Sequence, residues 1–108
     1  MAEGEERLVV EWTSTAESQF FNILNYWITR NKSSHYSEKL SSLVWKKTKF
    51  ISRNPYASKS TGRLNTRIAA LGHFSIVYKI EPKKIVVVAF WDNRQDPKKL
   101  YEFLKNRK

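Results

Sequence analysis

The sequence predicts an α+β fold: a mainly antiparallel four-stranded sheet with an N-terminal helical hairpin packed on one face, and a short C-terminal helix. Three observations carry that prediction. Two strand patterns, His73 to Ile80 and Ile85 to Trp91, are separated only by the polar turn Glu81-Pro82-Lys83-Lys84, which makes them a hairpin. Upstream, two apolar stripes at helical spacing flank the short polar break Asn31-Lys32-Ser33-Ser34. Downstream, Asp96-Pro97 opens a last amphipathic stretch.

Taken in order, Met1 to Arg7 is polar and reads as a frayed, disordered leader, leaving residues 8–108 as one domain. Leu8-Val9-Val10-Glu11-Trp12 is a short first strand. Ser14-Thr15-Ala16-Glu17 has the spacing of a capping box, and Ala16, Phe20, Ile23, Leu24 and Trp27 follow on one helical face. After the break, Tyr36, Leu40, Leu43, Val44, Phe50 and Ile51 define a second helix that ends near Asn54-Pro55. Helices joined this closely pack as an antiparallel pair.

Pro55 to Gly62 is a loop, and Leu64 to Leu71 resumes a strand pattern. There Asn65, Arg67 and Ala69 alternate with Thr66, Ile68 and Ala70, so Arg67 is expected to project from the more polar face. In the hairpin, Phe74, Ile76, Tyr78 and Ile80 share one face, whereas Ile85 to Trp91 is apolar throughout and fits a central strand covered on both sides. Its polar continuation, Asp92-Asn93-Arg94-Gln95, places functional groups at the exit of a rigid strand. Leu100, Tyr101, Phe103 and Leu104 give the last helix an apolar face. With both long helices on one face of the sheet, the other face is expected to be free to bind.

The charge narrows the function. Twenty Lys and Arg oppose ten Asp and Glu, a net of +10, and residues 12 to 108 alone hold nineteen bases against six acids. Such a field attracts phosphate backbones or an acidic protein partner. Candidate nucleic-acid contacts are Lys46, Lys47, Lys49 and Arg53 on the second helix, Arg63 after the loop, and Lys98 and Lys99 in the tail. A run of lysines along a helix is also what a plain solvated face contains. With no cysteine and only His35 and His73, no metal and no cofactor are expected. No run is long and apolar enough to span a membrane, and the start lacks the layout of a signal peptide, so a cytoplasmic protein is expected.

These residues resemble the RelE/ParE superfamily of toxins from bacterial type II toxin-antitoxin systems. The likeness runs from about Leu8 to Leu104. It is carried by Val10-Glu11-Trp12-Thr13, Tyr26-Trp27-Ile28, Tyr36-Ser37-Glu38-Lys39-Leu40, Gly62-Arg63, Ile76-Val77-Tyr78-Lys79-Ile80 and Trp91-Asp92-Asn93-Arg94-Gln95-Asp96-Pro97. The resemblance implies a RelE-like fold and a cognate antitoxin protein as partner. It also implies one of two activities: metal-independent, ribosome-dependent mRNA cleavage, or poisoning of DNA gyrase without nuclease chemistry.

Metal-free RNA cleavage needs a proton acceptor for the 2′-hydroxyl, cations for the charge on the phosphorane, and a donor for the leaving oxygen. By position, Arg67 and Arg94 match the arginines of RelE-like nucleases, Tyr101 matches their C-terminal aromatic, and His73 is a nearby acid or base. Ser75 stands where those nucleases carry a third arginine. Each residue also has a plain reading: His73 as a strand start, Arg94 in an ion pair with Asp92 or Asp96, and Tyr101, Phe90 and Trp91 as packing. The reading taken from sequence leans to an mRNA-cleaving endoribonuclease acting with ribosome and mRNA. The alternatives are a gyrase poison or a non-catalytic nucleic-acid-binding module.

Overall fold

The computed structural model describes residues 8–105. The leader at residues 1–7 and the basic residues Arg107 and Lys108 lie outside that range. The chain runs β1 (Val9–Trp12), α1 (Ser14–Asn31), α2 (His35–Arg53), β2 (Lys59–Ser60), β3 (Thr66–Leu71), β4 (Phe74–Glu81), β5 (Lys84–Asp92) and α3 (Pro97–Lys105). The sheet has five strands in the order β1-β5-β4-β3-β2. One more than expected is present because the loop after α2 contributes the two-residue β2, paired antiparallel to β3 through Lys59 with Ile68 and Ser60 with Arg67. The edge strand β1 lies parallel to β5, and all other pairings are antiparallel.

Local chemistry starts α1 one residue before where the capping box places it. Thr13, in an extended conformation, accepts from the Ala16 amide at 3.1 Å, so Thr13 and not Ser14 caps α1. The helix stops at Lys32, which takes a left-handed conformation (φ 53°) and donates its N–H to the Ile28 carbonyl. At the far end of α2, the Asn54 side chain donates to the Phe50 carbonyl at 3.1 Å. Asp96 caps α3 by accepting from the Lys98 amide at 2.9 Å, as its place before Pro97 predicts.

Both long helices cover one face of the sheet. Ala16, Leu40, Val44 and Ile51 are buried there against Ala69, Phe74, Ile76, Tyr78, Ile80, Ile85, Val87 and Phe90. Phe20 meets Trp12 and Phe90 at ring-centroid distances of 5.4 and 4.9 Å, and Phe74 stacks on Phe90 at 5.4 Å. The opposite face is not free. α3 lays Leu100, Phe103 and Leu104 over Val77, Val88 and Ala89, because those apolar residues of the central strands would otherwise face water.

β5 serves both faces through an irregularity. Tyr78 pairs with Val87 but Val77 pairs with Ala89, so Val88 is an extra residue, a β-bulge. Before it, Ile85 and Val87 point to the long helices; after it, Phe90 does, while Val88 and Ala89 both join the α3 side. The parity of the strand is thereby switched just before its exit.

Where β1 ends, the outer edge of β5 is taken over by α1: the Gln19 Oε1 atom accepts from the Phe90 amide at 2.9 Å. Replacing Gln19 with Leu leaves that half-buried N–H unpaired and is expected to lower stability by about 1–3 kcal/mol in urea unfolding. Gln19→Glu, which keeps an acceptor, is expected to lose clearly less.

Candidate functional site

The exit of β5 is locked against α1. Asp92 lies opposite Phe74 in the sheet register. Its carboxylate accepts from the Arg94 side chain twice, Nε to Oδ1 at 2.9 Å and NH2 to Oδ2 at 2.8 Å, and again from the Arg94 amide at 2.9 Å. This two-pronged pairing fixes the guanidinium plane. Held that way, Arg94 stacks over the Trp27 ring at 5.5 Å and the Phe74 ring at 5.9 Å. Arg30, one helical turn beyond Trp27, sits over the same indole at 5.9 Å, and Tyr26 and Tyr36 each contact Trp27 at 5.1 Å.

Tyr26, Trp27, Arg30, Asp92 and Arg94 line an open cleft of about 620 Å³, together with Gln19, Asn22 and Gln95. The hydrogen bond from Arg94 is the main reason the Asp92 carboxyl is held below the usual carboxylate range, against the opposing pull of partial burial. The same bond raises Arg94 further. Asn93 closes the turn: its amide donates to the His73 carbonyl at 2.8 Å, and its Oδ1 accepts from the Ser75 hydroxyl at 2.8 Å.

The expected site residues are spread over four places. Arg94 sits in the α1 cleft, with exposed His73 on the turn beside it, and it has the Asp92 ion pair that its sequence neighbours suggest. Arg67 keeps the strand face shared with Ala69, but that face is the one under the long helices, not an open polar one. Its guanidinium reaches over the sheet edge, donates to the Tyr56 and Ser58 carbonyls at 3.3 and 2.8 Å, and stacks on the Tyr56 ring. Beside it the Tyr78 hydroxyl donates to the Pro55 carbonyl at 2.7 Å, so both side chains pin the segment after α2. Burial pushes the Tyr78 hydroxyl above its ordinary pKa, in keeping with this donor role.

Tyr101 is not core: it is 72% exposed, since only Leu100, Phe103 and Leu104 of this short helix reach the sheet. With Arg63, Lys98, Thr61 and Lys105 it lines a groove of about 410 Å³ between α3 and the turn after β2. Lys46, Lys49 and Arg53 are exposed on α2 with Lys47 half-buried, and Lys99 is exposed on α3. Phe90 is packing, as one of the sequence readings has it. Arg30 was not among the sequence candidates, although Trp27-x-x-Arg30 on one helix turn is a readable cation–aromatic spacing.

A sequence model of the family described as ParE toxin of type II toxin-antitoxin system, parDE, matches residues 10–97. The chain belongs to the ParE toxin family. It is therefore the toxin component of a type II toxin-antitoxin system. No curated protein matches the chain. Among solved structures, a chain from the chromosomal ParDE toxin-antitoxin system of P. aeruginosa is similar, with a TM-score of 0.69 at 15% identity over 82% of this chain and 98% of that one. That likeness supports the α+β fold described above.

The clamp at Asp92 has a testable cost in acid. Because its pKa is lowered in the folded toxin, the unfolded chain takes up this proton first as the pH falls. The stabilisation is present above about pH 4 and is lost as the pH drops through the depressed folded value. Asp92→Asn is expected to flatten that acid dependence in urea unfolding and to remove about 1 kcal/mol or less at neutral pH, the partner Arg94 being about half exposed.

Proposed function

We propose that this toxin acts on DNA gyrase and is not an mRNA-cleaving nuclease, its action being held off by a cognate antitoxin. The observation that carries the reading is the dispersal of the residues a metal-free nuclease would need. Base, cations and proton donor must meet at one phosphate, within hydrogen-bond reach of its oxygens. Arg94 and Tyr101 line different clefts, and the Arg67 guanidinium is committed to backbone carbonyls of the segment after α2. Arg94 is chelated by Asp92, and Ser75, in the position of the third arginine, is turned to Asn93.

A gyrase poison needs none of that convergence. It needs a stable scaffold that presents surfaces, and the resemblance to ParE-like members implies that mode of action. An antitoxin segment finds apolar surface between α1 and α2, where a groove of about 520 Å³ holds Phe21, Leu24 and Ile28, with Phe21 and Ile28 exposed. An amphipathic helix laid into such a groove is a common mode of recognition.

The test is induced expression of wild type and Arg94→Ala in a bacterial host, with mapping of mRNA ends and a DNA-damage reporter. Growth arrest with intact mRNA, filamentous cells and reporter activation is the expected result. Prompt, ribosome-phased mRNA cleavage that disappears with Arg94→Ala would overturn the reading. In the same host carrying the antitoxin, a toxin with Phe21→Asp and Ile28→Asp is expected to escape neutralisation; full protection would rule out the helical groove.

A further inference from the structure

The second helix has two faces, and only one is spent on the core. Leu40, Val44 and Ile51 are buried against the sheet. On the outer side, Lys39, Lys46, Lys49 and Arg53 follow one another at spacings of seven, three and four residues, which sets them in one ridge about 21 Å long. Among the described residues none of the four forms an ion pair. The one acid of the helix, Glu38, accepts instead from the Ser34 hydroxyl.

A solvated lysine face accounts for the ridge but not for what flanks it. Trp45 on one side is 65% exposed, and Phe50 on the other is 46% exposed. The sequence periodicity placed Phe50 and Leu43 in the buried stripe; both stand outside it, since the helix meets the sheet through positions 40, 44 and 51. The Lys49 ammonium lies over the Trp45 ring at 5.7 Å and that of Lys47 over Phe50 at 5.4 Å. Cations alternating with exposed aromatic rings, on a chain of net charge +10, complement a polyanion that also offers flat apolar groups.

We propose that the outer ridge of α2 binds single-stranded nucleic acid, with phosphates on Lys39, Lys46, Lys49 and Arg53 and unpaired bases stacked on Trp45 and Phe50. Stacking of this kind is indifferent to sequence, and it requires bases that are not already stacked in a duplex. An anionic membrane is a poorer match. An interfacial helix immerses a continuous apolar face, and that face of α2 is already buried in the fold, leaving lysines at the centre of the exposed side. The proposal goes beyond the choice of target above. It stands or falls separately, because the assay contains neither gyrase nor ribosomes.

The experiment is fluorescence anisotropy of a short labelled oligothymidylate with the purified full-length toxin across a salt series. Four neutralised phosphates predict a slope of log affinity against log salt of about −3. Trp45→Ala, an exposed substitution that leaves the core intact, is expected to weaken binding about tenfold. K46E/K49E/R53E is expected to abolish it, whereas K59E/K79E/K83E, with the same change of net charge elsewhere on the surface, is expected to bind far better than the ridge variant. Equal losses in the two triple variants would reduce the effect to net charge and overturn the proposal. So would an absence of binding at low salt, an unaffected Trp45→Ala, or tighter binding to the same strand in duplex form. Phosphatidylserine vesicles that bind through the ridge while the oligonucleotide does not would likewise overturn it.

Discussion

The burial of β5 on both faces is the constraint on which the rest of the structure depends. Ile85, Val87 and Phe90 are buried under the long helices and Val88 and Ala89 under α3, each large side chain contributing about 1.5–3 kcal/mol of apolar burial. A regular strand of alternating parity would have carried the side-chain direction unchanged to its end. The extra residue at Val88 resets it, and the consequence is local and specific: Phe90 joins Trp12, Phe20 and Phe74, and Asp92 emerges on the same side as Trp27. From there the two-pronged bond to Arg94 ties the strand exit to α1.

The same constraint distributes the cations. Arg94 is held on the α1 side, Tyr101 and Lys98 stand on the α3 side with Arg63, and Arg67 is spent bracing the segment after α2. Arginine suits such bracing because one guanidinium nitrogen donates to two carbonyls while the plane stacks on a ring. The toxin thus presents several separate surfaces: an aromatic-arginine cleft, a tyrosine-lysine groove and a basic ridge on α2. That distribution is the ground for the proposed non-nuclease action, since chemistry at one bond needs reacting groups that converge.

Much of this was legible in the residues. The hairpin of β4 and β5, the helical pair with its polar break, and the Asp96-Pro97 start of α3 all stand where periodicity and capping rules put them. What was hidden was hidden for physical reasons. A bulge leaves no trace in Ile85-Val86-Val87-Val88-Ala89-Phe90, since every position is apolar and a change of parity alters no pattern. The covering of the second face was signalled by that same all-apolar run, but which element supplies it, α3 over Val77, Val88 and Ala89, depends on packing. Tyr101 and Phe50 are apolar neighbours of buried positions, and a helix of given length has room for only one stripe against the sheet. Arg67 was assigned to the right set of strand neighbours, yet whether that set faces helices or water depends on packing that spacing alone does not encode.

We propose Arg94 as a strut that joins β5 to α1, not a group that contacts a phosphate in catalysis. Arg94→Lys separates the two roles, because lysine keeps the charge but loses both the fork and the stacking plane. Thermal unfolding of this variant, read beside its toxicity on induction, is the most direct test. The account predicts a lower unfolding midpoint with growth arrest retained wherever the variant is folded. An unchanged midpoint with toxicity lost would contradict it and make Arg94 a direct contact with the toxin's target.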